Sequence, residues 1–556
     1  MKRRIWKIKE FTPQVKDLSQ KYNISVYLAQ ILLNRAIDEK QFPAFLNHSI
    51  EFLHSFSLLP DIKKASQRVK KAIEKKEKIL IVGDYDVDGV TSLAIFNEFV
   101  KEHRELFSFY IPHRVNDGYG LNTDVIERAK KENQTLIIAF DCGTNSLKEI
   151  ELACSYGIDT IVIDHHHPSK DLNKAYAFIN PKRTDSDYPF KDLSAAALAF
   201  KFLQALTKKD CKETLDLVAL SLVCDVVPLK GENRVLLKEG LKMLRVSRRP
   251  AIEALCKVAK IKQENINTFH IGYILGPRIN ASGRVASAND SLEMFLSKDL
   301  EEVLNIASRL QEYNLKRKAI EMNILKEAEQ KIEQDSSNDY AIVVSGENWH
   351  SGVLGIVASR LVDKYYRPSF VISFDDILGR GSARSIHSVH LMEALENCGS
   401  TLCAYGGHKK AAGLEIFREG LEEFRQRINL YIKNNTKPTD LIPILDIDLK
   451  LNFNDVTIEL IEELNRLEPF GEENPKPMFA SYSVYKKSKP KKINSGYTVW
   501  LSDGEKTLEG IIYDRGLLEI IEYAEEFDMA YSLEKNGFHN EPLLVIRDIA
   551  LSGSKI

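Results

Sequence analysis

Aspartate closes three apolar runs in the first half of the chain and recurs behind a fourth. Ile79-Leu80-Ile81-Val82 leads into Gly83-Asp84-Tyr85-Asp86-Val87-Asp88-Gly89, Leu136-Ile137-Ile138-Ala139-Phe140 into Asp141-Cys142-Gly143-Thr144, and Thr160-Ile161-Val162-Ile163 into Asp164-His165-His166. The fourth is Asp225, behind Leu222-Val223-Cys224. Carboxylates gathered at neutral pH repel one another unless protons or a divalent cation neutralise them. Oxygen ligands with one or two imidazoles suit Mn²⁺ or Mg²⁺ better than zinc. Two such ions ~3.5–4 Å apart can position a hydroxide and neutralise a phosphoryl transition state. The chemistry implied is phosphoester hydrolysis.

What must position these residues is a parallel sheet. The first three runs are four or five residues long, lack polar alternation and are separated by stretches of helical spacing, which reads as buried strands of βαβ units. Ligands then gather at the strands' carboxyl ends, where neighbouring strands ~4.8 Å apart bring the aspartates together. Taken alone, Asp84 to Asp88 is equally an ordinary Asp- and Gly-rich turn; the four acidic elements together favour the metal. A lone His beside a strand is more often packed than ligating. In Asp164-His165-His166-His167, period-two alternation puts His166 on the opposite side from His165 and His167. We assign His165 to the metal, His166 to the substrate phosphate and His167, before Pro168, to structure.

A chain of 556 residues is too long for one core and splits into several domains. Lys and Arg number 77 against 79 Asp and Glu, so binding to a polyanion requires a local basic groove. Seven cysteines without a C-x-x-C pair argue against structural zinc and a disulfide framework. No apolar run approaches ~20 residues and the first residues lack an apolar signal region, so a cytoplasmic protein without membrane association is expected.

Residues 1–60 read as a helical and irregular lead-in, and 61–297 as the α/β metal domain with a helical extension. Residues 298–335 read as one long connecting helix, on apolar positions from Val303 to Ile332. After the breaker Asp335-Ser336-Ser337-Asn338-Asp339, residues 336–435 form a second α/β domain. In 436–556, short β-like runs (Ile442–Leu451, Met478–Tyr485, Tyr497–Leu501, Leu508–Tyr513, Pro542–Ile549) suit a small β-barrel.

The motifs Gly83-Asp84-Tyr85-Asp86-Val87-Asp88-Gly89, Asp141-Cys142-Gly143-Thr144, Asp164-His165-His166 and Asp225 resemble those of the DHH phosphoesterase superfamily. Within it the chain is similar to the RecJ-type single-strand-specific 5′→3′ exonucleases, over nearly its whole length. The further matching motifs are Pro112-His113-Arg114 with Gly118-Tyr119-Gly120-Leu121, Gly276-Pro277-Arg278-Ile279-Asn280 with Gly283-Arg284, and Trp349-His350. Ser382-Ala383-Arg384-Ser385, Gly406-Gly407-His408 and Leu467-Glu468-Pro469-Phe470-Gly471 complete the set. The resemblance implies a DHH domain, a DHH-associated C-terminal domain and an OB-fold. It implies Asp86, Asp88, Asp141, His165 and Asp225 as ligands of two Mn²⁺ or Mg²⁺ ions, with Asp141 bridging, Asp84 supporting or ligating, and Asp164 orienting an imidazole. It further implies substrate contacts from Arg114, Tyr119, Arg278, Asn280, Arg284, His350, Ser382, Arg384, Gly406, Gly407 and His408. Ser221-Leu222 depart from the small Gly-Thr pair more usual in the family, and His387-Ser388 depart after the Ser-Ala-Arg-Ser element; neither removes a ligand.

Arg278 and Arg284 flank a polar, glycine-punctuated loop, and guanidinium forks suit phosphate oxygens; the bland alternative pairs them with surface acids. Lys486, Lys487, Lys489, Lys491 and Lys492 lie among Tyr482, Tyr485, Tyr497 and Trp500, which suits single-strand binding by charge and stacking as well as it suits a solvated loop. The expected activity is a metal-dependent 5′→3′ exonuclease on single-stranded DNA that releases 5′-mononucleotides in repair and recombination. The chain is expected to be a monomer, with single-strand-binding protein and a RecQ-type helicase as partners by resemblance only. The alternatives are a DHH phosphoesterase acting on short oligonucleotides, against which the extra tail argues, and a non-catalytic replication scaffold, against which the intact ligand set argues.

Overall fold

The computed structural model describes residues 4–47, 49–112, 120–169, 173–334, 340–537 and 539–551. Arg114, Tyr119 and the breaker at 335–339 lie outside them. The chain forms two compact units, Leu53–Leu441 and a second made of Met1–Phe52 with Ile442–Ile556.

In the larger unit, the three apolar runs form the strands Ile79–Gly83, Leu136–Phe140 and Asp159–Ile163. Phe107–Tyr110 and Ala177–Ile179 flank them to complete a five-stranded sheet. All pairings are parallel, and the spatial order places Phe107–Tyr110 beside Ile79–Gly83, followed by Leu136–Phe140, Asp159–Ile163 and Ala177–Ile179. The order therefore reverses between Ile79–Gly83 and Leu136–Phe140, the crevice where doubly wound sheets bind ligands. Asp84 and Asp141 are the first residues beyond those two strands.

Both sheet faces are covered, which explains the absence of polar alternation. On one face Leu80, Val82, Ile137, Ala139 and Val162 pack against Val125, Ile126, Ala129, Ile150 and Ala153 of the helices Thr123–Lys131 and Leu147–Ser155. On the other, Phe140 meets Phe96 of the helix Val87–Val100 with ring centroids 5.2 Å apart, and Phe96 stacks on Phe202 of the helix Ala195–Thr207 at 5.9 Å. The helix Leu215–Cys224 completes that layer and ends at Asp225.

The long helix is Leu300–Gln334, with Val303, Ile306, Ala307, Leu310, Ile324 and Ala328 buried at helical spacing. Beyond it a second sheet orders as Ala404–Gly407, Ala411–Phe417, Leu378–Arg384, Ser369–Asp375 and Ile342–Glu347, with only the last pair parallel.

In the smaller unit five strands, Phe479–Lys486, Glu526–Lys535, Pro542–Leu551, Thr507–Ile512 and Gly496–Ser502, close into a barrel through the pairing of Tyr485 with Ser502. The lead-in is not a separate domain. Ile5–Ile8 pairs in parallel with Ile444–Ile447, Trp6 Nε1 donates to Asp548 Oδ2 at 2.8 Å, and Leu28, Ile31 and Leu32 share the barrel's core. Its apolar helix faces lack a core of their own, so they complete that of a segment more than 400 residues away. Sequence patterning also missed the Glu526–Lys535 strand and the Arg515–Tyr523 helix before it.

A second difference concerns Gly276 to Arg284, a helix (Gly276–Val285) rather than a loop. Pro277 is tolerated in its first turn, and Ile279, Ala281, Ser282 and Gly283 are buried along it. Among the described residues, no helix is long and apolar enough to cross a membrane.

Candidate metal centre

The structure gathers Asp84, Asp86, Asp88, Asp141, Asp164, His165, His166 and Asp225 at the sheet's switch point. Two sets of potential ligand atoms lie within 4.8 Å of one another, Asp84/Asp86/Asp141 and Asp88/His165/Asp225, and a third joins Asp141 to Asp164, His165 and His166. His165 Nε2 stands 3.3 Å from Asp141 Oδ1, 3.5 Å from Asp225 Oδ2 and 3.7 Å from Asp88 Oδ2. Asp141 is thus where the acidic turn and the histidine side meet.

Local backbone features hold these groups. Asp86 caps the helix Val87–Val100, its Oδ1 accepting from the backbone N–H groups of Asp88 and Gly89. Gly89 is required because a Cβ there would lie 2.3 Å from the Asp84 carbonyl oxygen. Asn280, which sequence reasoning assigned to substrate, accepts the Val87 N–H at 3.0 Å and so steadies the aspartate turn. Asp141 sits at φ 60°, a left-handed conformation that Asp tolerates better than most residues.

Asp164 is buried and receives four N–H groups. Oδ1 takes those of His165 N at 2.7 Å, His166 N at 3.2 Å and His166 Nδ1 at 2.7 Å; Oδ2 takes Thr144 N at 3.0 Å. Burial opposes its charge, yet the charge and hydrogen bond of His166 hold its carboxyl below the usual carboxylate range. Reciprocally, burial disfavours the His166 imidazolium, but Asp164 raises it to about 9. The His166 side chain is 46% exposed, whereas that of His165 is buried. Asn180 donates to Thr144 Oγ1 at 3.1 Å and to the His166 carbonyl at 2.9 Å, and was missed in the sequence. It closes the short strand Ala177–Ile179 just as the aspartates close theirs, so the same pattern could have found it.

The donor set fits a divalent cation. Burial and then the neighbouring carboxylates push Asp141 and Asp225 well above the ordinary carboxylate range and Asp88 up to about 6. Burial, then His166, lowers His165 to about 3, which leaves it a neutral imidazole. Its two ring nitrogens and Asp225 Oδ2 are buried without a hydrogen-bond partner among the described residues. Repelling carboxylates around an unsatisfied neutral imidazole are what a cation resolves.

The remaining predicted contacts divide. Arg284 Nη1 donates to the Gly352 carbonyl at 3.2 Å, tying its helix to the start of the helix Ser351–Tyr365, which His350 caps by accepting the Gly352 N–H. Arg278 donates to the carbonyl of Ile274 in the π-helical segment His270–Leu275 that precedes its own helix, while its Nε is buried with no hydrogen-bond partner among the described residues. Ser382 and Arg384 lie on one strand, Ser382 paired with Gly413 and Arg384 with Ala411. Gly406 and Gly407 lie on the exposed edge strand, with His408 just beyond. Burial, and after it the charges of Arg384, Lys410 and His166, disfavour a charge on His408, and the His166 contribution brings this part of the second sheet within electrostatic reach of the metal centre. In the smaller unit, Lys486 donates to the carbonyls of Ile521 and Glu522 and caps a helix end, whereas Lys487, Lys489, Lys491 and Lys492 are exposed.

The comparisons follow this layout. Residues 78–222 match the DHH family N-terminal domain, 338–434 the DHHA1 domain and 447–548 the RecJ OB domain. The single-stranded-DNA-specific exonuclease RecJ of Bacillus subtilis is 34% identical over 549 residues, covering 97% of this chain and 70% of its own length. The chain belongs to the RecJ family. The Escherichia coli RecJ is 31% identical, covering 90% of this chain and 92% of its own. The crystal structure of Thermus thermophilus RecJ in complex with Mn²⁺ superposes with a TM-score of 0.84 at 25% identity, over 99% of this chain and 81% of that one. Parallel-sheet domain, second α/β domain and OB-type barrel are thereby the architecture of the RecJ family.

Proposed function

We propose that this protein is a metal-dependent exonuclease that hydrolyses single-stranded DNA from the 5′ end and releases 5′-mononucleotides, in repair and recombination. The observation that carries this is the pair of ligand sets that meet at Asp141, beside the buried neutral imidazole of His165. Asp84, Asp86, Asp88, Asp141, His165 and Asp225 would hold Mn²⁺ or Mg²⁺, as two ions. When bound, these ions supply an activated water and charge neutralisation for in-line attack on phosphorus.

The chain's own residues do the rest. Asp141, Asp225 and Asp88 present carboxylate oxygens around His165, and Asp86 keeps Oδ1 on its helix cap. Asp164 holds the His166 imidazolium through Nδ1, so contact with the scissile phosphate falls to Nε2, a charge-assisted hydrogen bond. Arg384 and His408 bind the strand's terminal phosphate from the second sheet. The barrel, with Tyr482, Tyr485 and Trp500 between 37% and 44% exposed, binds single strands by stacking bases.

The deciding experiment follows a 5′-labelled single strand with Mn²⁺, beside a duplex and a labelled dinucleotide. Labelled mononucleotide released first from the long single strand supports the reading. Preference for the dinucleotide points to the small-substrate phosphoesterase instead, and absence of hydrolysis overturns the enzymatic reading.

A further inference from the structure

Asp88 is held by a chain of hydrogen bonds that no metal-site pattern in the sequence discloses. Its Oδ1 accepts from Ser221 Oγ at 2.7 Å and from Ala196 N at 2.8 Å, and its Oδ2 accepts from Ala195 N at 2.8 Å. Ser221 Oγ lies 2.6 Å from Ser194 Oγ, which accepts the Ala197 N–H as the cap of the helix Ala195–Thr207. Ser194, Ser221 and Asp88 are all buried. An ionised carboxylate only accepts, so Ser221 donates to Asp88, and its single hydroxyl proton being committed there, Ser194 must donate to Ser221. The proton order is therefore fixed from the helix cap to the aspartate.

This arrangement divides the two oxygens of Asp88. Oδ1 carries two donors and points into the protein, whereas Oδ2 carries one and stands 3.7 Å from His165 Nε2 on the ligand side. We infer that Ser221, backed by Ser194, is a positioning residue that presents Asp88 to the cation through Oδ2 alone. A carboxylate restricted to one oxygen suits the near-octahedral demand of Mg²⁺ and Mn²⁺ and disfavours Ca²⁺, which takes bidentate carboxylates and more ligands. The Ser194–Ser221 pair thus sets both cation affinity and the discrimination against Ca²⁺. This rests on the metal assignment above.

The test is titration calorimetry of the full chain, stripped with EDTA and dialysed, with Mn²⁺ and separately with Ca²⁺, no DNA present. Ser221→Ala removes the donor and leaves Asp88 free to turn. Loss of such an outer hydrogen bond weakens metal binding by 10–100-fold in other sites, so the Mn²⁺ Kd is expected to rise at least about tenfold and that for Ca²⁺ less. Ser221→Thr, which keeps the hydroxyl, restores Mn²⁺ affinity to within about threefold. Ser194→Ala, which leaves the Asp88 donor in place but unbacked, falls between the two and keeps the test decisive should a Ser221 variant fail to fold. Unchanged melting in EDTA separates positioning from loss of structure. Mn²⁺ binding by Ser221→Ala within twofold of the unaltered chain, or an equal loss for Mn²⁺ and Ca²⁺, overturns the inference while the metal centre stands. No Mn²⁺ binding by the unaltered chain overturns the metal centre itself.

Discussion

Replacing Asp164 by Asn keeps the shape of the side chain and removes its charge, at a residue that we propose stands behind the metal rather than on it. Four N–H groups converge on the carboxylate, and an amide has only one oxygen to offer. With that oxygen at the Oδ1 position, the amide NH₂ faces the Thr144 N–H and leaves a buried donor unsatisfied, at about 1–3 kcal/mol. The bond to His166 falls from charge-assisted to neutral, a further ~1 kcal/mol. The sign agrees with the ionisation: a carboxyl held below its usual range in the fold contributes stability above ~pH 4 that is lost as the pH falls through the folded value. A total of about 2–4 kcal/mol, set against an unfolding entropy of ~2.1 cal/mol/K per residue over a unit of roughly 400 residues, lowers its melting temperature by ~2–5 °C. Calorimetry of the full chain in EDTA measures this, so metal binding does not enter. Because His166 also loses its orientation, kcat/KM on a 5′-labelled strand should fall roughly 10–100-fold. A melting temperature within 1 °C of the unaltered protein, with kcat/KM within threefold, refutes the role of Asp164 as the anchor of the histidine pair.

Asp141→Asn should act in the opposite sense on the metal-free protein. Burial and the surrounding carboxylates raise its pKa, so its ionised form opposes folding at neutral pH, and calorimetry in EDTA should show a higher melting temperature; with Mn²⁺ present, the variant should lose hydrolysis of a 5′-labelled strand and retain strand binding. Gly283→Ala places a Cβ 2.6 Å from the Tyr85 carbonyl oxygen and should shift the aspartate turn, at about 1–3 kcal/mol, with a matching fall in activity in single-turnover assays. On the barrel, Trp500→Ala should weaken binding to an oligothymidylate by about 1–3 kcal/mol in fluorescence anisotropy. Lys486→Ala, which removes a helix cap, should lower stability and leave that binding within twofold.

Strand-end aspartates, apolar runs without alternation and the helical period of Val303 to Ile332 were legible in the sequence because each is a local pattern: strand ends, burial on two faces and helix phase are all written within a dozen residues. Hence the parallel sheet, the long helix and the gathering of Asp84, Asp141, Asp164 and Asp225 could be read before any coordinates. What only the tertiary structure decided is which atoms remain for chemistry. Asp88 meets the start of a helix 107 residues away and a serine 133 residues away, Asn280 reaches back 193 residues to the aspartate turn, and the lead-in finishes the core of a barrel beyond residue 440. Such partnerships depend on hydrogen-bond geometry of a few tenths of an ångström between segments that local periodicity does not relate. An aspartate's type announces two oxygens; only the packed fold determines which of them its own N–H and O–H donors occupy.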